Sequence, residues 1–151
     1  MNGTRKFPIV PAVEKPSVRA HQPCVLVVDD ESAIADTIAK ILCLSGYSAI
    51  AAYDGNSALE TALLRPPALL ITDVMLPGMN GIELAVTVKR VYPECKILLF
   101  SGQASTSDLL ASAHRAGHRF TLLNKPVPPQ DLLAMVAENL KTREPALASM
   151  D

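Results

Sequence analysis

Apolar residues along this chain fall into two alternating patterns. Short continuous apolar runs, rich in β-branched residues, suit strands covered on both faces, as in a parallel sheet. They lie at Cys24-Val25-Leu26-Val27-Val28, Tyr47–Ala52, Ala68–Thr72, Cys95–Phe100 and Phe120–Leu123. Between them, apolar residues recur every three or four positions, the spacing of a helix with one buried face. A first helix over Ser32–Leu44 presents Ile34, Ile38, Ile41 and Leu42, with Gly46 as its stop. Asp54-Gly55-Asn56 turns the chain into a short helix that ends before Pro66-Pro67. Further helices are expected over Gly81–Val91 (stripe Ile82, Leu84, Ala85, Val88), Thr106–Ala116 and Gln130–Lys141 (stripe Leu132, Leu133, Val136, Leu140).

Strands alternating with helices predict a doubly wound α/β sandwich: a five-stranded parallel sheet, order 2-1-3-4-5 favoured, with five helices. In such a sheet the carboxyl ends of all strands share one edge, and ligands bind in the crevice where the strand order reverses, here between strands one and three. The polar residues at those ends are Asp29 and Asp30, Asp73, Ser101 and Lys125. The run Leu69–Asp73 is the centre of the pattern. It ends at a carboxylate and passes through a loop broken by Pro77, Gly78 and Gly81 into the third helix.

Composition narrows the function. The 151 residues are 49% hydrophobic with a net charge of −1, which points to a globular body and against a general affinity for nucleic acid or anionic membrane. No apolar run approaches the roughly 20 residues of a membrane span. Residues 1–23, with Arg5, Lys6, Lys15 and Arg19 among four prolines, are expected to be a flexible basic extension, and they lack the apolar core of a secretory signal. The folded body is expected over 24–141 and a tail over 142–151. Cys24, Cys43 and Cys95 have no metal-ligand spacing and are expected to be reduced core thiols of a cytoplasmic protein.

Three carboxylates converging at one sheet edge repel one another, and a divalent cation relieves that repulsion. Oxygen ligands with room for water and phosphate suit Mg²⁺. Lys125 adds a compact positive charge for a phosphoryl oxygen, and Ser101 a hydroxyl. A carboxylate in this company can act as a nucleophile toward phosphorus.

Val27-Val28-Asp29-Asp30-Glu31, Asp73 with its Met-Leu-Pro-Gly-Met-Asn-Gly loop, Ser101-Gly102 and Lys125-Pro126 together resemble the receiver domain of two-component response regulators, from about Cys24 to Leu140. The resemblance implies a flavodoxin-like receiver fold in a bacterial, cytoplasmic signalling protein that is not an enzyme. Asp73 would accept a phosphoryl group from a sensor histidine kinase or a histidine phosphotransfer protein. Asp30, Asp73 and the backbone carbonyl of Met75 would hold Mg²⁺ directly, and Asp29 largely through water. Lys125, joined to Pro126 by a cis bond, would contact the phosphoryl group. Ser101 would be the switch hydroxyl, rearranging the face made by the fourth helix, fifth strand and fifth helix. Signalling would then run through contacts with a downstream protein or a homodimer partner, without nucleic acid or membrane insertion. Met75 and Gln103 occupy the positions that tune the lifetime of the phosphorylated state.

One departure concerns the switch. An aromatic residue is expected three positions before the lysine, where this chain has Leu122. Either Phe120 substitutes through a one-residue insertion, or aromatic coupling is absent. Alternation puts both side chains on one face with Leu122 nearer the site, which favours the second. No further periodic region follows Leu140, so the chain is expected to be a stand-alone regulator, with a domain excised from a larger hybrid kinase or regulator as the alternative. Two other readings compete. A haloacid-dehalogenase-like Mg²⁺ phosphohydrolase would need an acidic residue two positions after its nucleophile, and Asp73 is followed there by Met75. A receiver-like scaffold that is never phosphorylated would need none of the strand-end set.

Overall fold

A computed structural model of the chain describes residues 22–102 and 106–141. The expected extension, apart from Gln22 and Pro23, lies outside the described residues, as do Gln103 and the tail 142–151. Five strands alternate with five helices: β1 (Cys24–Val28), α1 (Ser32–Leu44), β2 (Ser48–Ala52), α2 (Gly55–Leu64), β3 (Leu69–Asp73), α3 (Gly81–Val91), β4 (Lys96–Ser101), α4 (Thr106–Arg115), β5 (Thr121–Asn124) and α5 (Pro129–Lys141). The sheet is parallel throughout in the order β2-β1-β3-β4-β5. The expected fold class is therefore the observed one. The strand ends differ by a residue: Asp73, Ser101 and Asn124 close their strands instead of following them.

Each sheet face carries its own core, because side chains alternate along a strand. One face buries Leu26, Leu70 and Leu99 under Ala58 and Ala62 of α2, Leu84 and Val88 of α3 and Ala113 of α4. The other buries Val27, Ile71 and Leu98 under Leu42 of α1 and Leu132, Val136 and Leu140 of α5. The α3 stripe Ile82, Leu84, Ala85 and Val88 is buried as expected.

α1 corrects the sequence reading. Its buried line is Ala35, Ala39 and Leu42, and Ile34, Ile38 and Ile41 are only half-buried. The small alanines let the helix approach the sheet closely, so the bulky isoleucines flank the contact instead of forming it. In α5, Leu133 is likewise half-buried beside the Leu132–Val136–Leu140 line. Cys43 is a second correction. It lies next to Leu42 on α1, but rotated to the solvent side, and it is exposed; only Cys95 is fully buried, with Cys24 intermediate.

The register positions the edge. Val28 pairs with Thr72, Asp73 with Phe100, and Ser101 with Asn124. Asp29, Asp73, Ser101 and Lys125 therefore emerge side by side at the carboxyl end of the sheet.

Candidate functional site

Asp29 leaves β1 as a 3% exposed carboxylate, a burial that an ionised group tolerates only with partners. It has two kinds. The Glu31 N–H donates to Asp29 Oδ1 at 2.9 Å, and Lys125 Nζ donates to Oδ2 at 3.0 Å. The same ammonium donates to Asp73 Oδ2 at 3.0 Å, so Lys125 bridges the ends of β1 and β3 from beyond β5. Its own backbone N–H is anchored on the Ser101 carbonyl at 2.9 Å, and the Lys125–Pro126 peptide is cis, as expected. Burial alone would push the Lys125 ammonium down. Its hydrogen bonds and charge interactions with Asp29 and Asp73 outweigh burial and hold it above the ordinary lysine value.

Asp73 is held from several sides. Met75 N–H donates to its Oδ1 at 3.3 Å, the Thr72 hydroxyl donates to its carbonyl at 3.0 Å, and its side chain keeps 12% exposure. α3 starts directly against it. A Cβ at Gly81 would overlap the Asp73 carbonyl oxygen and lie 2.9 Å from the Asp73 carbonyl carbon, so only glycine admits this approach. Asn80 fixes the helix start with a capping box: its Oδ1 accepts from Glu83 N–H at 2.8 Å, and Glu83 Oε1 accepts from Asn80 N–H at 3.0 Å.

Asp29, Asp30 and Asp73 offer one carboxylate oxygen each within 4.8 Å of one another, with Asp30 exposed. Against the single Lys125 ammonium this leaves two carboxylate charges in excess. An all-oxygen donor set with that charge fits Mg²⁺ better than a softer ion, and it leaves coordination positions for water and phosphate. The Met75 peptide lies beside Asp73 through its N–H, while its side chain is exposed at 42%. Ser101 is buried at 2% exposure one residue beyond Phe100, the β4 partner of Asp73.

The edge thus gathers all of the strand-end residues named from the sequence. Thr72 and Asn80 were not singled out. Thr72 is a polar residue at the end of an apolar run, and Asn80-Gly-Ile-Glu83 is a readable N-terminal helix signature. Phe120 and Leu122 pack against the same core cluster, as alternation implied, and Leu122 pairs with Leu99. The Phe120 ring stacks on His118, with centroids 5.8 Å apart.

The family described as the response regulator receiver domain matches residues 25–137. A CheY-like response regulator receiver domain protein from Methanospirillum hungatei is 30% identical with a TM-score of 0.75, over 83% of this chain and 98% of that one. The chemotaxis protein CheY4 of Vibrio cholerae is 29% identical at a TM-score of 0.70, over 79% of this chain and 99% of its own. NtrX from Brucella abortus is 30% identical at a TM-score of 0.71, over 85% of this chain but 29% of that chain. Among the described residues no helix is long and apolar enough to cross a membrane.

Proposed function

This chain belongs to the response regulator receiver family, and on that premise we propose that it is a phosphoryl acceptor that signals through protein contacts. Asp73 takes the phosphoryl group from the phosphohistidine of a sensor histidine kinase or a histidine phosphotransfer protein. One observation carries the reading: the Lys125 ammonium bridges Asp29 and Asp73 at 3.0 Å each, at the open end of the sheet.

The chemistry follows from the side chains. An Asp73 carboxylate oxygen attacks phosphorus while the donor's P–N bond breaks, and the imidazole leaves with the bonding pair and takes up a proton. Negative charge grows on the phosphoryl oxygens as this happens, and the Lys125 ammonium is within reach to hold one of them. Asp29, Asp30, Asp73 and the Met75 carbonyl would hold Mg²⁺, which when bound neutralises phosphoryl charge. The Met75 N–H and the Thr72 hydroxyl keep the nucleophile in place. Ser101, on the neighbouring strand, is the hydroxyl that would close on the new phosphoryl group and bias the α4–β5–α5 face. Leu122 offers no ring to that movement, so the readout on this face runs without an aromatic at that position. Such a domain is modified once per signal and turns over no metabolite. The protein would then work in the cytoplasm beside its donor.

The test is intact mass after incubation with Mg²⁺ and acetyl phosphate. Wild type is expected to gain one phosphoryl group, and Asp73→Asn none. An adduct that persists in Asp73→Asn refutes the assignment. If wild type gains nothing and also fails to bind beryllofluoride in the presence of Mg²⁺, the chain is a silent scaffold.

A further inference from the structure

Gly55, the first residue of α2, is buried although nothing in its own backbone asks for glycine: the positive-φ glycines are Gly46, Gly78 and Gly117. Helix propensity favours alanine over glycine. The reason for glycine lies across the contact. A Cβ at Gly55 would meet the Met79 carbonyl oxygen at 2.7 Å, Met79 Cβ at 2.9 Å and Met79 Cγ at 3.2 Å. Met79 belongs to the loop that follows Asp73.

The helix is the fixed side of this contact. Asp54 caps it by accepting from Ser57 N–H at 2.7 Å and from the Ser57 hydroxyl at 3.1 Å, and Ala58 and Ala62 are fully buried behind it. The loop is a closed ring, because Gly81 N–H donates to the Val74 carbonyl at 2.8 Å. Met75, whose N–H holds Asp73 Oδ1, lies inside this ring, so a displacement of Met79 has a short path to that amide.

From this we infer that Gly55 is a positioning residue for the phosphoryl acceptor: the bare start of α2 seats Met79, and that seat sets the Met75 amide against Asp73. The inference rests on Asp73 being the acceptor, and its test separates the two. In the metal-free protein, Gly55→Ala shifts the NMR amide signals of Val74, Met75 and their loop neighbours. The same variant slows phosphorylation by acetyl phosphate roughly tenfold, the usual scale for losing an outer-shell partner. Met79→Gly in the Gly55→Ala background removes the two obstructing side-chain atoms but leaves the carbonyl oxygen, so it returns the rate part of the way toward wild type. Ser57→Ala weakens the α2 cap without adding bulk, so it lowers stability but leaves the Met75 amide and the rate alone.

An unmoved Met75 amide in folded Gly55→Ala overturns the inference, and so does an equal loss in Ser57→Ala. If Gly55→Ala does not fold, the double variant is read against Met79→Gly alone: the added Cβ, still facing the residue 79 carbonyl, shifts the Met75 amide between the two, and identical Met75 signals overturn the inference. A wild type that takes no phosphoryl group sinks the acceptor reading, while the metal-free amide measurement still decides the role of Gly55.

Discussion

Replacing Lys125 by alanine separates what the ammonium does for the fold from what it does for the site. Its Nζ lies 3.0 Å from both Asp29 and Asp73, and each attraction at an effective dielectric of 20 amounts to about 5 kcal/mol before desolvation. Desolvation offsets most of that. Removing one member of a buried ion pair generally costs 3–5 kcal/mol, because the remaining charge is stranded. Here Asp29 is stranded at 4% side-chain exposure, but the lysine side chain is itself 25% exposed, which brings the expected loss to about 2–3 kcal/mol. The assay is urea unfolding in EDTA at neutral pH. Magnesium should then narrow the gap between the two proteins, by about 1.4 kcal/mol for a tenfold difference in affinity. Without a resident ammonium the site binds Mg²⁺ more tightly, on the order of tenfold, so saturating Mg²⁺ restores more stability to Lys125→Ala than to wild type. Lys141→Ala, which breaks an exposed pair with Glu138 at 3.4 Å, is the control and should change stability by less than about 0.5 kcal/mol. Equal stability of Lys125→Ala and wild type in EDTA, or a loss that Mg²⁺ leaves untouched, would refute the account of Lys125 as a stand-in for the cation.

Two further outcomes follow from the same structure. Burial pushes the Cys95 thiol from 9.0 up to about 11, only partly offset by Lys89, so between those values the folded protein keeps a proton that the unfolded chain gives up. Stability therefore falls as pH rises through that window, by no more than about 3 kcal/mol, and Cys95→Ala should flatten that part of the profile; an unchanged slope counts against it. Asn80→Ala removes the side-chain arm of the α3 capping box, the Oδ1 that accepts from Glu83 N–H, and should cost about 1 kcal/mol in urea unfolding, with a loss below about 0.3 kcal/mol showing that this cap carries nothing.

Fold class and strand-end chemistry were legible because both depend on coarse periodicity. A strand buried on both faces must be apolar along its length, and a charge can enter only where the strand leaves the core. That is why Asp29, Asp73 and Lys125 stood out. The face of α1 was not legible in the same way. Two candidate stripes, Ile34–Ile38–Ile41 and Ala35–Ala39–Leu42, share the helical period, and hydrophobicity alone favours the bulkier. Interhelical and helix–sheet distance decides between them, and no single sequence position carries that distance. Cys43 failed for the same reason, since it takes its exposure from the rotation of α1. Gly55 and Gly81 read locally as turn and breaker residues, whereas their contacts are with Met79 and Asp73 across the fold.

The bridge from Lys125 to Asp29 joins residues 96 positions apart, and the one to Asp73 spans 52. No fragment ending before β5 can contain the charge balance of this site, however well its first strands are paired. On the ribosome the three carboxylates emerge before their ammonium, so the nascent edge is a bare acidic cluster while the 52 residues from Asp73 to Lys125 are made. Non-local closure of this kind is slow relative to local helix formation. If Asp73 takes a phosphoryl group as proposed, competence to carry it should arrive with the last strand, and the modification would then report that the whole sheet has been assembled.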